Sequence, residues 1–328
     1  MDPREMSDCL VIGANGFIGS HVVDALTDAC HAVTAFDRYS SGLVSHRTSG
    51  VKIVVGDFLN NADLAAAIDG QQYVFHFLSA TSPATSEDDP TLDIRTNISQ
   101  SVELFKLCAA IGVERVYFAS TGGAIYGDQG LERYRETDPA LPISPYGIGK
   151  LALEHYLRYF RAKHGLDSVS LRISNPYGPR QHPHRKQGLI PIALRQIADD
   201  DRVVRFGGGT MVRDYIFVED VARLVAGLTG LSTRHDVYNI GSGIGHSVND
   251  VLAELEHVTA RAIKLVDVPT PPTFVEKVVL DTSRFESEFG PSSYAGLRDG
   301  VSATWSELQR SELRAVGDAT ASIPAGTI

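Results

Sequence analysis

The sequence predicts an α/β protein: a doubly wound parallel sheet followed by a smaller C-terminal α/β domain. Two observations carry this. Short β-branched runs alternate with helix-period segments through the first half of the chain, and the first such run ends in a glycine-rich loop that opens a helix. The strand-like runs are 9–14, 32–37, 51–57, 73–78, 115–120 and 168–174. Between them, helical patterns occupy 17–26, 62–68, 91–111 and 146–164. In the third, Ile94, Ile98, Val102 and Phe105 recur at helical spacing and are expected to form one apolar face. The two longest helices are expected to pair across a homodimer interface.

After Asn175 the alternation breaks at NPYGPRQHPHRKQG, a Pro- and Gly-rich basic stretch read as a long loop. Residues 1–175 therefore form the expected first domain, with a strand at 237–240 rejoining its sheet. Residues 176–328 form mainly the second domain, with helices at 189–198 and 295–313 and strands at 203–206 and 215–217. The tail 320–328 is expected to fray.

At 328 residues, 43% hydrophobic and 21% charged, the chain can bury a sizeable core. A net charge of -10 and the lack of a basic stripe argue against a nucleic-acid partner. The three cysteines, Cys9, Cys30 and Cys108, show no metal-ligand spacing, so no metal is expected. They are read as buried, reduced thiols of a cytoplasmic protein. No apolar stretch has the length of a signal peptide or a membrane span, so a soluble protein is expected.

The first strand runs into Gly13-Ala14-Asn15-Gly16-Phe17-Ile18-Gly19. Glycines there permit a tight turn and let backbone amides approach a pyrophosphate at the positive end of a helix. Asp37 ends the second strand about twenty residues on, where a carboxylate hydrogen-bonds an adenosine ribose and repels a 2′-phosphate. Together they point to a Rossmann-type site for NAD. Asp57, closing the third strand, meets an adenine edge on one reading and forms a turn or N-cap on the other.

Ser144-Pro145-Tyr146-Gly147-Ile148-Gly149-Lys150 places a phenol and an ammonium four apart on one helix face. A nearby cation lowers a phenol's pKa, so Lys150 is expected to make Tyr146 a usable base. The bland alternative is an exposed surface pair, and position decides against it. The fifth strand ends in Ala119-Ser120-Thr121-Gly122-Gly123-Ala124-Ile125-Tyr126-Gly127, putting hydroxyls at the carboxyl edge where ligands of such sheets bind.

GANGFIG, Asp37, ASTGGAIYG, SPYGIGK, LRISNPYGPRQ and RDYIFVEDVA together resemble the extended short-chain dehydrogenase/reductase family, nearest its UDP-glucose 4-epimerase group. The resemblance spans roughly residues 10–243. It implies a catalytic Tyr146, its electrostatic partner Lys150, and a shared hydroxyl from Thr121 or Ser120. Many relatives carry that hydroxyl four residues before the strand-end tyrosine, where this chain has Gly122. For NAD it implies Gly13, Asn15, Gly16, Phe17, Ile18 and Gly19 at the pyrophosphate, and Asp37, Arg38, Asp57 and Phe58 at the adenosine end. Leu78, Ser79, Ala80 and Asn97, with Tyr146 and Lys150, complete that set. For a UDP-sugar it implies Ser79, Thr81, Thr121, Gly122 and Tyr146 near the sugar, and Asn175, Gly188, Leu189 and Arg213 nearer the nucleotide. The 181–187 loop joins them, although His182, His184 and Arg185 are equally read as solvated. Arg213's bland alternative is a salt bridge with Asp214 or Glu219.

Sugar dehydratases of this type carry Asp-Glu after the strand-end threonine, and related decarboxylases place a Glu nearby; here Gly122 and Gly123 follow Thr121. C4 epimerisation of a UDP-sugar is therefore the expected activity, UDP-glucose/UDP-galactose leading and UDP-glucuronate the rival. The hydroxyl-rich segment 79–83 is a candidate for holding a C6 carboxylate, or a solvated loop. A net dehydrogenase is the enzymatic alternative, and a nucleotide-sensing binding protein the non-enzymatic one.

Overall fold

The computed structural model describes residues 6–79, 81, 83–182, 188–270 and 275–321. In chain order the elements begin β1 (Asp8–Ile12), α1 (Phe17–Asp28), β2 (Ala32–Asp37), β3 (Val51–Val55), α2 (Asn61–Ile68) and β4 (Tyr73–His76). Next come α3 (Pro83–Asp88), α4 (Pro90–Asp93), a π-helical turn (Ile94–Ile98), α5 (Ser99–Ile111), β5 (Arg115–Thr121), α6 (Gly122–Ile125) and α7 (Pro145–His164). Then follow β6 (Asp167–Ile173), β7 (Asn175–Tyr177), α8 (Leu189–Ala198), β8 (Arg202–Phe206), β9 (Val212–Phe217) and α9 (Val218–Gly227). The chain closes with β10 (Val237–Ile240), β11 (Gly245–Ser247), α10 (Val248–Thr259), β12 (Lys264–Val268), β13 (Lys277–Val278), α11 (Ser283–Phe289) and α12 (Leu297–Ala321).

Seven strands form one sheet in the order β10-β6-β5-β4-β1-β2-β3, and every pairing is parallel. Central strands such as β1 and β4 are buried on both faces, which is why they read as unbroken apolar runs. One face is covered by α1 and α9, with Val22, Leu26, Val221 and Val225 in the core. The other is covered by α2, α5 and α7, with Leu64, Leu104, Phe105, Leu153 and Leu157. The strand order reverses between β1 and β4, so the loops leaving those strands open a crevice at the carboxyl edge. That crevice is where the glycine loop lies.

A third core gathers Tyr177, Leu194, Phe217, Leu252, Val301 and Trp305 around α8, α10 and α12. Its strands form two small sheets: β9 flanked by β11 and β13 with β7 also on it, and the pair β8–β12. The second half of the chain thus contributes to both regions, since β10 pairs with β6 and α9 packs on α1.

Two expectations are corrected. The helical stretch 91–111 is interrupted by the π turn, and Ile94 is exposed instead of joining Phe105 in the core. The five-residue spacing of a π turn rotates the upstream residues off the α-helical stripe. Cys30 is exposed, in a left-handed turn after α1 (φ 63°), whereas Cys9 and Cys108 are buried. Burial pushes the Cys9 thiol up to about 12 and raises that of Cys108 as well. Residues 322–328 of the expected frayed tail lie outside the described residues. Among those described, no helix is long and apolar enough to cross a membrane, and no His, Cys, Asp and Glu cluster is set to hold a metal.

Candidate active site

The turn from β1 into α1 is built around its glycines. Gly13 has φ 85°, and a Cβ there would meet the Leu78 backbone nitrogen at 2.7 Å; a Cβ on Gly19 would lie 2.1 Å from the Gly13 carbonyl oxygen. Any side chain at either position would force the loop away from β4 or α1. The turn is pinned by Gly13 and Ala14 amides donating to the Phe36 carbonyl. Gly16 caps α1 without a side chain, and the first-turn amides of Phe17, Ile18 and Gly19 have no acceptor within the helix. This cradle suits a pyrophosphate. At the end of β2, Asp37 accepts from the Asn15 amide (3.0 Å) and the Arg38 amide (2.7 Å), while the Arg38 side chain is exposed. Asn15 holds the following loop, donating to Leu43 O and accepting from the Ser45 amide. Asp57 is exposed and accepts from the Leu59 amide, a turn role, while Phe58 is buried against His76.

Ser144 caps α7 through the Gly147 amide, and Pro145 sits in the first turn, so Tyr146 and Lys150 begin the helix as expected. Lys150 is buried, donates to Ala119 O on β5 (2.8 Å), and lies 5.6 Å from the Tyr146 ring centroid. Leu78, Asp93, Asn97, Tyr146, Gly149 and Lys150 line one recess. Nicotinamide-side residues named from the sequence therefore converge here, and the donor set fits the cofactor.

The expected effect of Lys150 on Tyr146 is not what dominates. Burial, and then the Asp93 carboxylate, push the Tyr146 phenol up to about 12. Burial brings Lys150 down to about 8, opposed by Asp93 and Glu154. Desolvation penalises both charged forms, and a local carboxylate disfavours a second anion.

The two strand-end hydroxyls separate. Ser120 is buried and donates to Glu154 Oε1 at 2.5 Å; the same carboxylate accepts from Arg172 Nε and Nη2. Arg172 Nη1 donates to Tyr126 OH, which donates to Asn239 Oδ1. Ser120 is thus bound into a buried ion-pair network, while Thr121, also buried, is the last residue of β5. Gly122 leaves no room for the hydroxyl that many relatives carry: a Cβ would meet Leu280 Cδ1 at 2.5 Å and Arg172 O at 2.9 Å. A Cβ on Gly123 would approach Asn175 Oδ1 at 3.3 Å.

On the substrate side, Asn175 donates to Asp214 O, and Gly188 caps α8 with φ 91°, just before Leu189. Arg213 makes no salt bridge with Asp214 or Glu219. It donates to the carbonyls of Val212, Val275 and Glu276, and burial lowers its pKa. Asp214 is wholly buried, accepting from the Ser242, Gly243 and Leu280 amides and the Ser242 hydroxyl. Gln181 stands next to Gly188, whereas His184, Arg185 and Gln187 lie outside the described residues. So does Ala80. Ser79 donates to Thr81 O (2.7 Å), and Thr81 donates to Asp93 Oδ1, so both hydroxyls serve the loop itself.

Reasoning from the sequence missed Asp93, Glu154, Arg172 and His76. Glu154 had a signal, since it continues the Tyr146/Lys150 spacing by one more turn; Asp93 had another, four residues before Asn97. His76 is buried, bonded to Ser101 Oγ (2.7 Å), and held down to about 3 by burial and by Lys150.

A parallel seven-stranded sheet with a glycine cradle at its switch point, a strand-end carboxylate and a Tyr/Lys pair defines a dinucleotide-dependent enzyme of the Rossmann type. Residues 9–241 match the model of the NAD dependent epimerase/dehydratase family, and the chain belongs to that family. It is 32% identical to a UDP-glucose 4-epimerase of Mycolicibacterium smegmatis, the match covering 90% of this chain and 96% of that one. The solved UDP-glucose 4-epimerase of Thermotoga maritima with UDP-glucose superposes with a TM-score of 0.86 at 33% identity, covering 93% and 99% of the two chains. The UDP-glucuronic acid 4-epimerase of Bacillus cereus, in complex with UDP-glucuronic acid and NAD, gives 0.83 at 25% identity, covering 92% and 99%.

Proposed function

We propose that this protein is an NAD-dependent nucleotide-sugar 4-epimerase acting on a UDP-hexose of the glucose/galactose type. One observation carries the reading: Tyr146 and Lys150 share a recess with Leu78 and Asn97 beside the glycine cradle, at a strand end where Gly122 and Gly123 offer no further acid or base. Gly13, Gly16, Phe17, Ile18 and Gly19 hold the pyrophosphate, Asp37 the adenosine ribose, and Lys150 and Asn97 the nicotinamide end. When bound, the oxidised nicotinamide supplies a hydride acceptor and a positive charge that favours loss of the Tyr146 proton. Tyr146 Oη takes the 4-hydroxyl proton with Thr121 Oγ1 as the bridging hydroxyl, and gives it back to the 4-oxygen of the turned keto sugar, where the bound cofactor would return hydride to the opposite face of C4. Arg213 and Asn175 hold the diphosphate while the sugar turns. With no proton donor or acceptor at 122 or 123, water is not eliminated.

Tyr146→Phe tests this: NAD content is retained, while interconversion of UDP-glucose and UDP-galactose, followed by proton NMR, falls by about two to four orders of magnitude. A 4-keto-6-deoxy product or stoichiometric NADH release would overturn it. UDP-glucuronate is the second reading, supported by the B. cereus relative and testable in the same assay. Thr81 is held by Asp93, which leaves the 79–83 segment fewer free hydroxyls for a carboxylate. The same proposal includes a homodimer through α5 and α7, because Ile148, Tyr156 and Tyr159 form an exposed stripe at helical spacing on α7. Light scattering on Tyr159→Asp, expected to be monomeric, tests the dimer.

A further inference from the structure

If Tyr146 and Lys150 are the acid–base pair proposed above, the residue packed behind them is Asp93. Asp93 is 3% exposed and has no cation within salt-bridge distance among the described residues. Burying such a charge is costly unless hydrogen bonds and nearby cations hold it. Oδ1 accepts from Thr81 Oγ1 and from Asn97 Nδ2 (2.7 Å), and Asn97 Nδ2 also approaches Thr81 Oγ1 at 2.6 Å. Oδ2 is aimed at α7: a Cβ on Gly149 would lie 2.4 Å from it. Only glycine lets the carboxylate sit against the helix there, three residues after Tyr146 and one before Lys150. The π turn places Asp93 and Asn97 together, a distortion that recurs at functional sites.

We propose that Asp93 is a positioning residue for catalysis: its buried carboxylate, held by Thr81 and Asn97 and seated over Gly149, favours the ammonium of Lys150 and retention of the proton on Tyr146 once that residue has taken it from the 4-hydroxyl. None of the other groups around the recess acts on both Tyr146 and Lys150. His76 on β4 is neutral and bonded to Ser101, while Glu154, one turn beyond Lys150 and paired with Arg172 on β6, acts on Lys150 but not on Tyr146. The directions agree, since Asp93 raises both Tyr146 and Lys150. Its function is to hold the proton on Tyr146 between half-reactions, so that a 4-keto sugar always meets an acid.

The test is Asp93→Asn, with Gly149→Ala as a second variant whose methyl displaces Oδ2 without removing the charge. In the purified enzyme, tyrosinate absorption is titrated for each variant and for the same variant carrying Tyr146→Phe, the difference isolating Tyr146. Removing a neighbouring anion makes ionisation easier, so the Tyr146 midpoint, and with it the pH at which turnover rises, should move down by about 1–3 units in Asp93→Asn. Gly149→Ala should move it in the same direction by less. A merely structural Asp93 would lower the melting temperature and the rate at every pH without moving either midpoint. Unmoved midpoints in both variants overturn the proposal. If Tyr146→Phe alone keeps full activity, the assignment of the acid–base pair fails instead, and the tyrosinate titration still reports on Asp93.

Discussion

Replacing the two adjacent hydroxyls of β5 one at a time should have opposite consequences. In Ser120→Ala, Glu154 loses a donor at 2.5 Å but keeps both bonds from Arg172. A hydrogen bond to a charged group contributes about 1.5–3 kcal/mol, so the folded state should lose roughly that amount. The methyl leaves no orphaned polar atom, and the Tyr146/Lys150 recess is not touched, so turnover should stay within about threefold of the parent, under ~0.7 kcal/mol of barrier. In Thr121→Ala, no network is broken and stability should change by less than about 1 kcal/mol. Turnover should instead fall about 10²-fold, the lower end of the range for a positioned proton-transfer group. Denaturant melts give the first quantity for each variant, and initial rates of UDP-glucose/UDP-galactose interconversion give the second. If Ser120→Ala loses turnover and Thr121→Ala does not, the assignment of the bridging hydroxyl is wrong, and the Ser120–Glu154 bond is catalytic.

Gly122→Ser, which restores a hydroxyl at the position many relatives use, should cost about 1–3 kcal/mol in a denaturant melt and bring no gain in rate, because its Cβ meets Leu280 and Arg172 O. A stable, faster variant would contradict that geometry. Gly19→Ala, whose Cβ would lie 2.1 Å from Gly13 O, should leave purified protein depleted of NAD, measured after denaturing release; full retention would remove the cradle from the cofactor site. Lys150 has a folded pKa of about 8 against 10.5 unfolded, so between those values the unfolded chain binds more protons and the wild type gains stability as pH rises. Melts of cofactor-stripped wild type should therefore strengthen relative to Lys150→Met from pH 8 towards 10.5; an unchanging difference would mean that Lys150 is not charged at a cost.

The doubly wound sheet, the glycine cradle, Asp37 and the start of α7 were legible because each depends on local rules. Alternating periodicities mark strand and helix, a positive φ demands Gly13, and Ser144-Pro145 caps whatever helix follows them. The cofactor class follows from such local features, since a phosphate cradle is made of neighbouring backbone amides. The charge state of the site did not follow, because it is set by residues far apart in sequence. Tyr146 looks like a phenol lowered by a lysine four residues away, yet desolvation in the recess it shares with Leu78 and Asn97 and the charge of Asp93 reverse the sign. Likewise Ser120 and Thr121 are indistinguishable as a dipeptide. Strand pleating turns Ser120 toward Glu154 and Arg172 on the face covered by α7, and Thr121, also buried, toward the opposite face of β5. Sequence by itself determined which groups this protein has and the scaffold that carries them; only the tertiary structure decided which of them meet, because desolvation and Coulomb energies depend on distances through space between segments that the chain leaves far apart.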